Sequence, residues 1–302
     1  MIFCYYILSK IYAFIIYIWH TLYKLGILSS YKFTTPIISI GNIAVGGTGK
    51  TPTVIFISQL LTKHNISHAI VSRGYKKTSA GMIVLAKENI KNILPHQCGD
   101  EPYMMAKKLA TIPIVVNKNK KSAIKYIIKT INPQLILLDD GFQSLKINRN
   151  LDIVLINSIC TKQNFSLLPL GKLREPLKNL HRANLIIYSK QNLSKSIGQQ
   201  FLIKQYITSN VSKSVPYMAS NINARVLFYN TKTRKLEVFT AYQKINFALG
   251  FCGIGDPQSF SQISNNFFNL NELISFADHH QYTNKDFRGL LERCNKKKID
   301  SI

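Results

Sequence analysis

The residues best suited to chemistry lie in a few short loops, and the first of these is a phosphate cradle. Gly41-Asn42-Ile43-Ala44-Val45-Gly46-Gly47-Thr48-Gly49-Lys50-Thr51-Pro52 follows the apolar run Ile37 to Ile40 and precedes a second apolar run, Val54 to Leu61. A buried strand, a glycine-rich loop, Gly-Lys-Thr and a helix make the layout of a P-loop. There the backbone N–H groups of Ala44, Val45, Gly46, Gly47, Thr48 and Gly49 curl around phosphate oxygens. Lys50 reaches the β- and γ-phosphates, and the Thr51 hydroxyl sits on Mg²⁺. The generic pattern has a glycine where this chain has Ala44, and Gly46 and Gly47 restore the flexibility. A chance Gly-rich turn is the alternative, and it leaves the flanking strand and helix unexplained.

Leu135-Ile136-Leu137-Leu138 followed by Asp139-Asp140 has the form of a Walker B strand. A carboxylate at the end of a buried strand is placed to hold Mg²⁺, directly or through water, and open α/β sheets bind ligands at those strand ends. Adjacent acids repel, so a nearby cation is a natural reason for the pair; the alternative is a solvated Asp-Gly turn. Gly99-Asp100-Glu101-Pro102 is a second acidic pair at a predicted helix start, where acids are favoured in any case. Leu173-Arg174-Glu175-Pro176 offers an arginine and a carboxylate in a Pro-flanked loop. Asp278-His279 reads either as an acid–base pair or as a polar loop. Seven of the chain's 14 acidic residues lie in these short loops: Asp100, Glu101, Asp139, Asp140, Glu175, Asp256 and Asp278.

Positioning such loops requires a sheet. From Phe33 to about Lys190, strands predicted at 37–40, 69–72, 114–116, 135–138, 153–156 and 185–188 alternate with helices predicted at 54–61, 100–109 and 121–130. Continuous apolar strands alternating with helices predict an α/β fold, a P-loop NTPase-like, mostly parallel sheet with helices on both faces. A smaller α/β domain is expected from residue 222, joined by a β-hairpin linker around Asn230 to Arg234. It carries a strand at 247–251, a loop and helix after Cys252-Gly253-Ile254-Gly255-Asp256-Pro257, a strand at 273–276, and a last helix from Thr283 with Asp286 completing a capping box. The expected organisation is an N-terminal helix at 1–31, a P-loop core at 32–221 and the smaller domain at 222–302.

With 302 residues the chain has room for about two domains. Its 39 Lys and Arg against 14 Asp and Glu give a formal charge of +25, which favours phosphate, nucleic acid or an acidic membrane surface. The basic residues are dispersed, so genomic bias toward Lys, Asn and Ile is an equal alternative. Five cysteines, far apart and without C-x-x-C, suggest neither a zinc site nor a disulfide framework. Met1 to Leu28 is rich in Ile, Tyr and Phe, interrupted by Lys10, His20 and Lys24, with no basic region ahead of it and no cleavage site. It reads as a membrane-embedded or interfacial anchor helix, with a buried N-terminal helix as the alternative.

Taken together and in order, these segments resemble the tetraacyldisaccharide 4′-kinase family of Gram-negative lipid A synthesis. The segments are the loop at 41–52, Ser72-Arg73-Gly74-Tyr75, Gly99 to Pro102, Leu137 to Gln143, Leu168 to Pro176, Phe251 to Pro257 and Phe276 to His280. The resemblance implies transfer of the ATP γ-phosphoryl to the 4′-hydroxyl of a tetraacylated glucosamine disaccharide 1-phosphate, at the cytoplasmic face of the inner membrane. It implies ATP and Mg²⁺ as cofactors, with Lys50 and Thr51 holding phosphates and metal. Asp139 would be the main metal-linked carboxylate, assisted by Asp140 and Glu175. Asp100, oriented by His279, would be the general base, and Arg73, Gln143 and Arg174 would contact substrate phosphate or sugar. The partners implied are the lipid disaccharide 1-phosphate and the membrane surface, with neither nucleic acid nor an obligate protein partner.

The chain departs from the family pattern at several points. Asn157 and Asn184 replace Asp, Lys76 replaces Gly, Gln163 to Ser166 replaces an FGNG-like loop, and Asn119-Lys120-Lys121 offers lysines where an arginine is usual. The family normally continues past the position of Ile302, so a catalytically impaired, truncated homologue is one alternative. A partitioning- or anion-pump-type ATPase is another, although such loops carry an additional lysine where this chain has Val45. A nucleic-acid-binding ATP switch fits the charge, but no recognition motif accompanies it.

Overall fold

The computed structural model describes residues 2–194, 196–211, 214–224, 226–230, 235–238 and 245–299. The chain forms two compact units, residues 1–190 with 196–220, and residues 191–195 with 221–302.

In the first unit the elements run α1 (Ile2–Lys24), β1 (Ile37–Asn42), α2 (Lys50–Lys63), β2 (His68–Ser72), β3 (Ile83–Leu85), α3 (Pro95–Cys98), α4 (Asp100–Lys108), β4 (Ile114–Val116), α5 (Lys120–Thr130), β5 (Leu135–Asp139), β6 (Leu151–Asn157), β7 (Leu185–Ser189), α6 (Ile197–Ser209) and β8 (Tyr217–Ala219). The strands form one sheet in the order β3-β4-β2-β5-β1-β6-β7-β8. Every pairing is parallel except β3 with β4. The expected mostly parallel sheet is therefore present. Strand order reverses around β1, which lies between β5 and β6, and this is the switch point at which open α/β sheets bind ligands.

Side-chain alternation along the strands divides the core. Ile40, Ile70, Leu137 and Leu155 pack with Val54 and Ile55 of α2 and Met105 of α4. Their neighbours Ala69, Val71, Ile136 and Leu138 point to the other face and pack with Ala123, Ile124 and Ile127 of α5. Val154, Ile156, Ile186 and Tyr188 meet Ile203 and Ile207 of α6. Burying each such Val, Leu, Ile or Met side chain contributes about 1.5–3 kcal/mol, so helices on both faces are what a strand apolar on both sides demands. β3, β8, α6 and the one-turn α3 have no counterpart among the elements expected from the sequence. The two strands are three-residue edge strands, too short to show a period. In α6 the apolar Phe201 and Leu202 are exposed while Ile203 and Ile207 are buried, which weakens the helical spacing.

In the second unit, β9 (Leu227–Asn230) and β10 (Lys235–Val238) pair antiparallel, with Lys235 opposite Asn230. This is the expected hairpin; its turn at 231–234, together with Arg225 and Phe239, lies outside the described residues. β11 (Ile245–Cys252) and β12 (Phe268–Ser275) are parallel and joined through α7 (Pro257–Ser264), a βαβ crossover followed by α8 (Asn284–Lys297). Both helices start on side-chain caps, that of α8 being the one expected from the sequence. Asp256 Oδ1 accepts from the Ser259 N–H at 3.2 Å, and Thr283 exchanges hydrogen bonds with Asp286 in a capping box.

The helix α1 is not a buried core helix. Phe3, Phe14 and Tyr17 are 75%, 63% and 59% exposed, and α1 is long and apolar enough by length and composition to cross a membrane. One stripe of it faces the protein. Ser9 Oγ donates to the Leu167 carbonyl (3.0 Å) and Tyr12 Oη to the Arg174 carbonyl (2.7 Å), while Ile16 is buried.

Two glycines show why the loops after β2 and before α4 fit together. Gly74 (φ +67°) has Val116 Cγ1 only 2.4 Å and the Cys98 carbonyl oxygen 2.7 Å from where a Cβ would sit, and Gly99 (φ +97°) packs on Gly74 and Tyr75. Lys76, the departure from the family's glycine, has φ +56°, a left-handed conformation that costs an L-residue roughly 1–2 kcal/mol. Lys76→Gly is expected to stabilise the protein by about 1 kcal/mol in urea titrations monitored by far-UV circular dichroism; unchanged or lower stability would show that this backbone carries no strain.

Candidate active site

The phosphate loop leaves the C-terminal end of β1 and enters α2 directly at Lys50. Gly46 (φ +110°) and Gly49 (φ +86°) make the two left-handed bends that a side chain would resist. The helix therefore begins earlier than the apolar run at Val54 suggested, and Lys50 and Thr51 stand at its N-terminus, where free N–H groups and the helix dipole favour an anion. Inside the loop, Asn42 Nδ2 donates to Thr48 Oγ1 at 2.9 Å, and Ser189 Oγ of β7 donates to the Thr48 carbonyl at 2.8 Å.

A second chain segment braces the loop. Ala44 pairs antiparallel with Leu173. The Val45 N–H donates to the Lys172 carbonyl and the Arg174 N–H to the Ile43 carbonyl, both at 2.8 Å. The segment carrying Arg174 and Glu175 is thus bridged by backbone hydrogen bonds to the cradle.

The two aspartates at the end of β5 differ sharply. Asp139 is 3% exposed. Its Oδ2 accepts from Ser72 Oγ at 2.8 Å, and its Oδ1 is buried with no hydrogen-bond partner. Burial, reinforced by Glu101 and Asp140, pushes its carboxyl up to about 6. Asp140 is held in a left-handed turn (φ +49°). Its carboxylate takes Arg174 Nη1 at 3.0 Å and lies 3.7 Å from Lys50 Nζ. Burial works to raise it, and Lys50, Arg174 and Lys120 outweigh that and hold it below the usual carboxylate range.

Among the described residues no group of three or more His, Cys, Asp or Glu could form a metal cage. Mg²⁺ does not need one, because it keeps waters and takes one or two protein oxygens beside substrate phosphates. The unpartnered Asp139 Oδ1 is the kind of buried acceptor such an ion or its water would satisfy, and Thr51 stands at the loop end beside Lys50.

Other expected residues fall differently. Glu175, expected to assist the metal, is 1% exposed and already filled. It accepts from Gln143 Nε2 (2.8 Å), Asn179 Nδ2 (2.8 Å) and Arg182 Nη2 (2.5 Å), and His20 Nε2 lies 3.3 Å away. Burial would raise its carboxyl, but His20, Arg182, Asn179 and Gln143 together lower it. The structure makes it an internal anchor. Gln143 and Arg174, expected at the acceptor, are engaged within the protein: Gln143 Nε2 also donates to the Asn42 carbonyl (2.8 Å), and Arg174 holds Asp140. Arg73 is exposed just past β2, and Asp100 is exposed in the first turn of α4.

In the second unit the two adjacent histidines are distinguished. His280 stacks on Phe276 with ring centroids 4.6 Å apart, and its Nε2 lies 3.2 Å from Asp286. His279 is held in a left-handed conformation (φ +58°), with its N–H donating to the Gly253 carbonyl at 3.0 Å. The FCGIGDP and FADHH segments therefore meet within one loop cluster.

A family profile described as tetraacyldisaccharide-1-P 4′-kinase (LpxK) matches residues 1–302. The chain belongs to this family. It is 33% identical over 291 residues to the tetraacyldisaccharide 4′-kinase of Desulfotalea psychrophila, covering 96% of this chain and 82% of the relative. It is 32% identical over 276 residues to that of Aquifex aeolicus, covering 91% and 81%. The crystal structure of the "apo" form of LpxK from Aquifex aeolicus in complex with ATP superposes with a TM-score of 0.69 at 29% identity, covering 92% of this chain and 82% of that one.

Within the family pattern, several departures have local structural explanations. Asn184 Oδ1 accepts from the Asp152 N–H (2.8 Å) and Asn157 Oδ1 from the Ile159 N–H (3.0 Å), so both still serve as acceptors. Lys120, at the start of α5, donates to the carbonyls of Asp139 (3.0 Å) and Asp140 (2.5 Å) and to Ser144 Oγ (3.2 Å). Burial pulls its ammonium down to about 8, against the pull of Asp140 and Asp139. Lys120, Ser72 and Asn42 were not among the expected site residues. Each acts through a hydrogen bond across separate loops, which neither spacing nor periodicity reveals.

Asp139 gives a pH prediction. Its folded value lies above that of a free carboxyl, so it takes a proton as pH falls through about 6, and a bound proton competes with a metal ion. The Asp139-dependent part of Mg²⁺-nucleotide affinity, read as wild type against Asp139→Asn to cancel the nucleotide's own titration, is expected to fall about tenfold per pH unit below 6 and to be flat above it. Calorimetric titration from pH 5 to 8 measures this; a flat difference down to pH 5 would contradict it.

Proposed function

We propose that this chain transfers the γ-phosphoryl group of ATP to the 4′-hydroxyl of a tetraacylated disaccharide 1-phosphate, forming the bisphosphorylated lipid. The observation that carries the reading is Lys50, paired with Asp140 at the mouth of the phosphate loop, beside the unpartnered carboxylate oxygen of Asp139. It supports a nucleotide site in a chain whose relatives are named tetraacyldisaccharide 4′-kinases.

In this reading the loop N–H groups and Lys50 bind the β- and γ-phosphates, Lys50 passing from Asp140 to the phosphates as they arrive. Thr51 and Asp139 are the residues that would hold Mg²⁺, which when bound neutralises phosphate charge. Asp100 takes the proton as the 4′-oxygen bonds to γ-phosphorus and the bond to the β-phosphate oxygen breaks. In a loose transition state most of the catalysis is positioning and charge neutralisation, so this proton leaves late. Arg73 is the exposed guanidinium suited to the acceptor's phosphate. The exposed apolar face of α1 suits a lipid surface, which supports a reading in which the enzyme works at the cytoplasmic face of the inner membrane, where ATP and the lipid acceptor meet.

The test is γ-labelled ATP with the disaccharide 1-phosphate lipid in detergent. Asp100→Ala is expected to lower transfer by roughly 10²–10⁴-fold while ATP affinity stays within about twofold; Lys50→Met is expected to weaken binding itself. Undiminished transfer by Asp100→Ala would refute the assigned base, and no transfer by folded wild-type protein would refute the reaction.

A further inference from the structure

The Arg174-Glu175 pair touches two things at once. On one side it meets the inward stripe of α1, where Tyr12 Oη donates to the Arg174 carbonyl at 2.7 Å and His20 Nε2 lies 3.3 Å from Glu175 Oε2. The same Nε2 lies 3.4 Å from Asn179 Nδ2, and since a carboxylate only accepts, a proton on Nε2 is what lets His20 serve Glu175. On the other side the same two residues meet the nucleotide loop. The Arg174 N–H donates to the Ile43 carbonyl at 2.8 Å, and the Arg174 guanidinium holds Asp140, the partner of Lys50. Glu175 fixes Gln143, whose amide donates to the Asn42 carbonyl, and Asn42 in turn donates to Thr48.

Two hydrogen-bonded paths therefore run from α1 to the phosphate cradle, each with a single residue at its centre. Glu175 is a buried charge, and a buried charge that loses a donor is forced to repack or to admit water. Arg174 is held at both its N–H and its carbonyl, so a shift of its backbone moves both the Ile43 pairing and the guanidinium on Asp140.

We propose that Tyr12 and His20 are positioning residues for the nucleotide. By holding Arg174 and Glu175 from the α1 side, they keep the phosphate loop and Asp140 in register, so the seating of α1 sets nucleotide affinity. The inference rests on the proposed nucleotide role of this loop. It assigns the apolar helix a second task beyond attachment, one that acts at the phosphate site and leaves the lipid acceptor untouched.

The test measures binding of a fluorescent ATP analogue with Mg²⁺ to the full chain in detergent micelles, with no lipid acceptor present, so its outcome does not depend on whether the acceptor has been assigned correctly. His20→Ala and Tyr12→Phe are each expected to weaken binding by about fivefold or more. His20→Gln, whose amide can still donate to Glu175, is expected to recover most of the loss. In turnover the same variants raise KM for ATP and leave kcat nearly unchanged. Phe14→Ala, on the exposed face of α1, weakens partitioning into micelles and leaves nucleotide affinity as it was. If His20→Ala does not fold, Tyr12→Phe, which removes a single hydroxyl, carries the test. The proposal is overturned if Tyr12→Phe and His20→Gln both bind like wild type while His20→Ala also binds like wild type. It is also overturned if Phe14→Ala weakens nucleotide binding as much as the inward-facing substitutions do.

Discussion

The site depends on one carboxylate, that of Asp140. A chain with a formal charge of +25 that collects Lys50, Arg174 and Lys120 at the end of one strand would have those cations repel each other unless an anion lay among them. Asp140 is that anion, 3.7 Å from Lys50 and 3.0 Å from Arg174. Its left-handed backbone turns it out of β5 toward the loop, while Asp139, one residue earlier, stays in the strand and buried. The two carboxylates consequently face opposite fates: Asp140 is held ionised by its neighbours, and Asp139 is left with an unpaired oxygen at low dielectric. A tightly packed turn enforces the difference. A side chain at Gly141 would come within 2.5 Å of Ser39 Oγ, and one at Gly41 within 2.7 Å of Phe142 Cβ, so β1 and this turn cannot move apart independently.

The same logic explains Glu175. In a strongly basic protein a buried acid is an efficient way to fasten segments together, because several donors converge on one residue. Gln143 from the turn after β5, His20 from α1, and Asn179 and Arg182 from the helical turn that directly follows Glu175 meet on its two oxygens. The phosphate loop, the turn after β5 and the N-terminal helix are thereby fastened to a single short segment.

Much of this was legible in the sequence. The parallel strands were visible because strands buried on both faces are continuously apolar, and the phosphate loop was visible because its glycines and Lys50-Thr51 are contiguous. The cap of α8 was legible for the same reason: Thr283 lies within three residues of its partner Asp286. What was not legible is whatever depends on separation in sequence. Spacing could not show that Glu175 would be filled by His20, more than a hundred and fifty residues away, nor that Lys120 would close over the carbonyls of Asp139 and Asp140. Composition likewise left α1 open between a core helix and a membrane helix, and the exposure of Phe3 and Phe14 excludes a fully buried core helix, while Ser9 and Tyr12 tie one stripe of it to the protein. Lys76 shows the converse case, a residue whose type argues against the conformation it adopts.

The central claim is that the site phosphorylates one particular sugar hydroxyl. Phosphorus–proton correlation NMR of the product made from ATP and the tetraacylated disaccharide 1-phosphate tests it most directly. The account predicts a single new phosphate monoester coupled to the proton on the 4′ carbon of the distal sugar. A new ester at any other position, or inorganic phosphate released with the lipid unchanged, would contradict it.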